Sequence, residues 1–273
     1  MRNPLLSVRR DDQALRRGVT ARLTSRDRAL IAKCAICRWL STGQVRRLYF
    51  PRATLNAVQK RLRKLATAGF VISWRDHKMA EALHAAGPNA KKMLEKVQLT
   101  VPRAEPPRQR AHLVGINDLR IAVETGPYPV SYFFASWQLA GLDWPHRVVP
   151  DAVFALQVGT KHVVVAEYDR STENMRMLAE KINAYRAGLP DFPVAAVLVI
   201  VDDPARLGRL ARRIRPREGP LRVLGATIGA LRGKDIGTPV FRNVSGGLES
   251  VLQPLAELIG GHLPAGSPHE GSA

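Results

Sequence analysis

Four side chains in the second half of the chain have the types and spacing for metal-assisted phosphodiester chemistry: Asp151, Glu167, Asp169 and Lys181. Residues 161–169, KHVVVAEYD, read as a strand. Alternation then places Val163, Val165, Glu167 and Asp169 on one face. Two carboxylates thus emerge where the β-branched residues stop. Asp151 falls in the preceding strand-like segment, sixteen residues before Glu167, which is a hairpin's distance. Three convergent carboxylates suit a hard divalent cation such as Mg²⁺ or Mn²⁺. Such an ion would activate water and stabilise a phosphorane-like transition state. In the helix that follows, Asn174, Leu178, Lys181, Ile182 and Tyr185 share one side, with Arg176 and Glu180 opposite. Lys181 therefore points inward, where an unpaired ammonium is costly. It is either a catalytic cation or one member of a buried salt-bridge network with Asp151, Glu167, Asp169 and Arg170. Both readings account for its position.

A second constellation lies in the first third of the chain. A helix is expected from about Arg52 to Thr67, with Leu55, Val58, Leu62 and Leu65 as its apolar stripe. Asn56, Gln59, Lys60 and Arg63 project away from that stripe. Asn and Gln can pair with adenine edges and Arg with guanine in a major groove. Arg52 and Thr54, at the helix start, suit phosphate contacts. A solvated helix face normally mixes charge signs. This segment carries Lys60, Arg61, Arg63 and Lys64 and no acid, so its self-repulsion calls for an anion. Arg75, His77 and Lys78 form a second basic group just downstream, positioned for backbone or minor-groove contact.

The elements that must hold these residues follow from local signals. Thr24 opens a first helix, with Asp27 in a capping-box position. Ser41-Thr42-Gly43 caps a second, from Gln44 to about Tyr49, and Pro51 ends it. Gly69 stops the third. Residues 70–74, FVISW, read as a strand, and residues 81–84 as its weak partner. Three helices, a strand, a basic tip and a return strand make a winged helix-turn-helix. A further helix is expected at Asn89–Lys96. Residues 98–110, rich in Pro and Arg, form a linker. Beyond it, helices are expected at His112–Glu124, Thr172–Leu189, Pro204–Arg215 and Leu248–Ile259. Strands are expected at Tyr132–Gln138, Arg147–Leu156, Lys161–Asp169, Val194–Val201 and Arg222–Ile228. Such mixing implies an α/β second domain with a mixed sheet. The organisation is then a basic flexible arm at 1–22, a winged helix at 23–97, the linker, an α/β domain at 111–259 and a disordered tail at 260–273.

Composition agrees. The formal net charge is +19. Residues 1–110 hold 25 Lys and Arg against 7 Asp and Glu, whereas the remainder holds 17 against 16. A charge so concentrated points to a polyanion, here double-stranded DNA. The longest apolar run, Phe192–Val201, is too short to span a bilayer, and the first residues lack a signal-peptide core. A cytoplasmic protein without membrane partners is expected. Cys34 and Cys37 are the only cysteines, which excludes a disulfide framework. They fall on the apolar face of a helix and read as core packing.

The segments LTSRDRALI, LSTGQVRRLYFP, KRLRKLATAGFV and AAGPNAKKML resemble the N-terminal winged helix of replication-relaxation family proteins. HLVGINDLRIAVE, VVPDAVFAL, AEYDRSTE and EKINAYRAG continue the resemblance, from about Leu23 to Asp203. It implies a role in replication or DNA relaxation on plasmids and other mobile elements. The second half is also similar to the PD-(D/E)-x-K nuclease core. Pro150-Asp151 would be its first motif and Glu167 its second acid. Asp169 stands where that pattern has its lysine, and Lys181 on the next helix would stand in. Three functions are therefore open. One is a DNA-binding accessory or regulatory protein, working with replication or mobilisation proteins. Another is a Mg²⁺-dependent endonuclease or nickase targeted by the winged helix. The third is a transcriptional repressor whose second domain forms a homodimer.

Overall fold

A computed structural model of the chain describes residues 22–142, 144, 148–171, 174–186, 194–214, 221–244 and 251–260. Except for Arg22 and Gly260, the expected arm and tail lie outside the described residues. So do Arg147, Thr172, Glu173, residues 187–190 and 215–220, and the start of the expected last helix. The described residues fall into two compact units, divided between Asn117 and Asp118.

The first unit opens with α1 (Ser25–Cys37), capped by Thr24. The Thr24 hydroxyl accepts from the Asp27 amide at 3.2 Å, and the Asp27 carboxylate takes the Thr24 amide at 2.8 Å. β1 (Leu40–Ser41) leads directly into α2 (Thr42–Tyr49), where Ser41 and Gln44 repeat the same reciprocal cap. Helix α3 (Leu55–Thr67) begins at an N-cap Thr54. It is three residues shorter than the expected Arg52–Thr67, because Thr54 accepts from the Ala57 amide and so sets the start. Gly69, at φ 70°, closes α3. The Phe70 and Gly69 amides reach back to the Leu65 and Ala66 carbonyls at 3.0 and 2.9 Å, the Schellman pattern that satisfies a helix end.

β2 (Val71–Trp74) and β3 (Leu83–Ala86) follow, and β1, β3 and β2 form an antiparallel sheet in that order. The return strand begins two residues later than expected. Just before it, the Glu81 carboxylate accepts from the Gly43 amide at 2.5 Å and the Ala82 carbonyl from the Thr42 amide at 3.1 Å. A 3₁₀ turn (Pro88–Ala90) and α4 (Lys91–Glu95) complete the fold. Leu30, Ile31, Cys34, Cys37, Val45, Val58, Leu62 and Leu65 form one buried core. Both cysteines are fully buried in it, and burial pushes the Cys34 thiol far up. Residues 98–109 form no helix or strand except a turn. Even so, Leu99 and Val101 pack on this core, and the Glu105 carbonyl accepts from the Trp39 indole at 3.0 Å.

The division falls within α5 (Arg110–Glu124). The second unit is a six-stranded mixed sheet in the order β4-β5-β6-β7-β8-β9. Its strands are β4 (Val130–Ala135), β5 (Ala152–Val158), β6 (Thr160–Asp169), β7 (Val194–Val201), β8 (Arg222–Thr227) and β9 (Arg242–Asn243). β5 and β6 are an antiparallel hairpin turning at Gly159, whose φ is 68°. β6, β7 and β8 run parallel. Parallel neighbours need crossovers, here α7 (Met175–Arg186) and α8 (Pro204–Arg213).

Both crossover helices cover one face, where Leu178, Ile182, Tyr185, Leu207 and Leu210 pack on Val163, Val165, Val197 and Val199. Phe154, Leu156, Val164, Ala166, Leu198, Ile200 and Leu224 on the opposite face are also fully buried. A sheet buried on both faces explains the unbroken apolar runs.

Several expected boundaries move in this unit. Val130–Ala135 ends before Ser136, which opens the short helix α6 (Ser136–Leu139). The cause is Gln138, whose side chain accepts from the Ala135 amide at 3.1 Å. β5 starts at Ala152, so Asp151 stands just before the strand rather than within it. α8 ends at Arg213, where Ile214 turns extended. The last helix, α10 (Leu255–Gly260), begins only after Gln253, which pairs with Phe241. A short helix α9 (Ile228–Leu231), capped by Thr227, has no counterpart among the expected elements.

Candidate nucleic-acid interface and carboxylate cluster

The spacing of Val58, Leu62 and Leu65 turns one stripe of α3 into the core. That leaves Asn56, Lys60, Arg63 and Lys64 exposed and Gln59 half-buried. Leu55, expected in the core, is 47% exposed. It occupies the first turn, where it joins the polar face next to Asn56. Arg61 is not part of that face. Its Nε donates to Asp27 Oδ1 at 2.8 Å and its Nη2 pairs with Oδ2. Burial works to raise the Asp27 carboxyl, but Arg61 and Thr24 outweigh it and hold it below the usual range. One of the four basic charges on α3 is therefore consumed in tying it to α1. Among the described residues, Lys60, Arg63 and Lys64 have no carboxylate partner.

Arg52 is exposed in the turn before Thr54. The Thr54 hydroxyl caps the helix and keeps its proton free to donate. Arg26, which sequence reasoning missed, lies with its guanidinium 5.2 Å from the Phe50 ring centre. It borders a cleft of about 420 Å³, lined also by Ala53, Ala57 and Arg61, at the start of α3. Only the proximity of α1 to α3 reveals it. Between β2 and β3, residues Arg75, Asp76, His77, Lys78 and Met79 are all exposed. Arg75 Nη1 donates to the Lys78 carbonyl at 3.3 Å, and the Ala80 amide to His77 at 2.9 Å, which closes the tip. Two separate basic surfaces in one unit can each take an anion such as a phosphodiester.

In the second unit, β6 does carry Glu167 and Asp169 on the face under α7 and α8. Ala152 pairs with Ala166, so Asp151 and Glu167 are next in register, and Asp151 Oδ2 accepts from the Tyr168 amide at 2.8 Å. Lys181 Nζ lies 3.3 Å from Glu167 Oε2, with its side chain 33% exposed. Tyr185 donates to Glu167 Oε1 at 2.5 Å. Glu167 is buried. Burial and the Asp151 charge push its carboxyl up to about 7, against the pull of Lys181 and Tyr185.

Asp169 is held apart from this group. Its Oδ2 pairs with the buried Arg206 on α8 at 2.5 Å, and its Oδ1 accepts from the Ser171 amide at 2.9 Å. Arg206 thus belongs inside and not to a solvated basic face of α8. Arg170 turns toward Asp202, 3.8 Å away, which also accepts from the Tyr168 hydroxyl at 2.6 Å. The geometry therefore joins Asp151, Glu167, Lys181 and Tyr185 in one cluster and gives Asp169 to Arg206. Among the described residues, no group of three His, Cys, Asp or Glu side chains is placed to hold a metal ion. No helix among them is long and apolar enough to cross a membrane.

The family model described as replication-relaxation matches residues 34–189, which takes in α3, the tip, Asp151, the Glu167 cluster and all of α7. No curated protein and no solved structure matches the chain.

Proposed function

Because the chain belongs to the replication-relaxation family, we propose that it is a DNA-binding accessory or regulatory protein of plasmid or mobile-element replication or relaxation. Residues 23–97 act as a winged helix-turn-helix that docks on duplex DNA. α3 enters the major groove, and Asn56, Gln59 and Arg63 face base edges. Arg52, Thr54, Lys60 and Lys64 lie toward phosphates, while Arg75 and Lys78 hold the backbone beside the tip. The supporting observation is the exposed face of α3, where Lys60, Arg63 and Lys64 stand without carboxylate partners among the described residues. A helix with this much repulsion gains stability when an anion covers it.

Duplex affinity should fall steeply with salt. The double variant Lys60→Gln/Lys64→Gln should lower the slope of log K against log salt by about 1.8, at about 0.9 for each phosphate no longer neutralised. Fluorescence anisotropy on a labelled duplex measures both. An unchanged slope would remove α3 from the interface.

A second reading rests on Glu167. A buried carboxyl raised by a neighbouring carboxylate is a common signature of a functional site. Mg²⁺ is often held by one or two carboxylates together with substrate phosphates, which Asp151 and Glu167 fit without Asp169. A bound ion there would activate water for phosphodiester cleavage. Lys181 would hold the phosphate, and Tyr185 would fix the Glu167 rotamer. On this reading the second unit is a nuclease-like scaffold. Supercoiled plasmid with Mg²⁺ or Mn²⁺ should be nicked by the native chain and not by Asp151→Ala or Glu167→Ala. Plasmid left intact but retained in a gel-shift leaves binding as the function.

A further inference from the structure

We propose that Met79 is a wedge that enters the minor groove of duplex DNA and kinks it, which makes the protein a DNA-bending factor. The proposal rests on the DNA-binding reading above. Met79 is 86% exposed, the most exposed large apolar side chain among the described residues. Single exposed apolar residues are common, but this one has two unusual features.

The first is a rigid base. Ala80 and Ala82, directly after the tip, are buried at 7% and 5% exposure. The Ala82 carbonyl accepts from the Thr42 amide at 3.1 Å, and the Glu81 carboxylate takes the Gly43 amide at 2.5 Å. Met79 is thus held out by an anchored turn rather than carried on a loose loop. The second is its setting. Arg75, His77 and Lys78 precede it closely in the chain with donors and positive charge, and Asp76 is the only acid among residues 75–79. Cations beside an apolar tip suit the minor groove, whose negative potential draws Arg, Lys and His. Proteins that bend DNA there insert Met, Leu, Ile, Phe or Pro between base steps and unstack them. Met is unbranched and polarizable, which fits a gap of irregular shape. An apolar protein partner would not call for the cations.

The test is ligase-driven ring closure of a duplex of about 100 bp, shorter than the DNA persistence length of about 150 bp, with full-length protein. Binding to the same fragment is followed by anisotropy. The native chain should raise the closure rate on the order of tenfold, equivalent to about 1.4 kcal/mol of bending energy. Met79→Ala should bind within about twofold of the native chain, since the charged groups remain, yet close rings no faster than free DNA. Met79→Leu should restore closure. If Met79→Ala binds and closes rings like the native chain, or if the native chain binds without raising closure, the wedge is overturned. Failure of the native chain to bind the fragment at all would instead remove the DNA-binding reading, and the wedge with it.

Discussion

Arg206→Ala should destabilise the second unit by about 3–5 kcal/mol, the usual cost of breaking a buried ion pair. Asp169 is left at 1% side-chain exposure with one oxygen on Ser171 and no cation. The pair joins the end of β6 to the first turn of α8, across the face that carries Val199, Val201 and Leu207. Asp169→Ala should also destabilise this unit, because Arg206, at 10% side-chain exposure, loses the Asp169 carboxylate. Replacing both, as Asp169→Leu/Arg206→Met, removes two desolvated charges together and should recover most of the loss. Hydrogen exchange of β6 and β7 amides in the full chain measures each step. A loss under 1 kcal/mol in both single variants would mean that water reaches the pair. The same experiment bears on chemistry, since free Asp169 would then become available to a cation beside Glu167.

The Asp169–Arg206 pair also shows where reading the chain stops. Helix ends were legible because their signals are local. Thr24 with Asp27, Ser41 with Gln44, and Gly69 after α3 each compete for backbone groups within three or four residues. The β5–β6 hairpin and the apolar run of β7 were legible for the same reason, since period and β-branching are local properties. The charged pairs were not. Arg61 meets Asp27 across 34 residues and Arg206 meets Asp169 across 37. In a helical pattern both arginines look like solvated cations.

Leu55 failed differently. It fits the stripe of Val58, Leu62 and Leu65 by spacing, yet the first turn of α3 leaves it half-exposed. Periodicity says which residues share a face but not how far the partner surface extends. For the candidate cluster, alternation put Glu167 on the inward face of its strand, as the helical period put Lys181 on the inward side of the next helix. It could not tell that Asp169, on the same face, would be drawn toward α8.

Acidification should weaken the first unit by about 3 kcal/mol between pH 6.5 and pH 4, through a histidine that sequence reasoning passed over. His84 lies in β3 at 4% exposure. One ring nitrogen meets the Thr42 hydroxyl and the other the Ser73 hydroxyl, each at 2.9 Å. Burial, and to a lesser extent Arg75, push the imidazole down from 6.5 to about 4. The unfolded chain therefore takes up a proton first as pH falls, and folding stability rises with pH across that window. Stability is complete above pH 6.5 and is lost as pH drops through about 4. The depression corresponds to about 3 kcal/mol at 1.36 kcal/mol per pH unit.

Thr42 begins α2 and Ser73 lies in β2, the two elements that pack beside α3. The ring thus braces both supports of the proposed recognition helix, and duplex affinity should fall in the same window. His84→Gln keeps a donor and an acceptor between the two hydroxyls but cannot titrate. Urea unfolding followed by exchange of β3 amides should show a pH-dependent loss in the native chain and a flat profile in His84→Gln. Parallel profiles in that window would mean that the acid sensitivity does not come from His84; the Asp27 carboxyl, held low, gives up its contribution only below its ordinary pKa of 3.8.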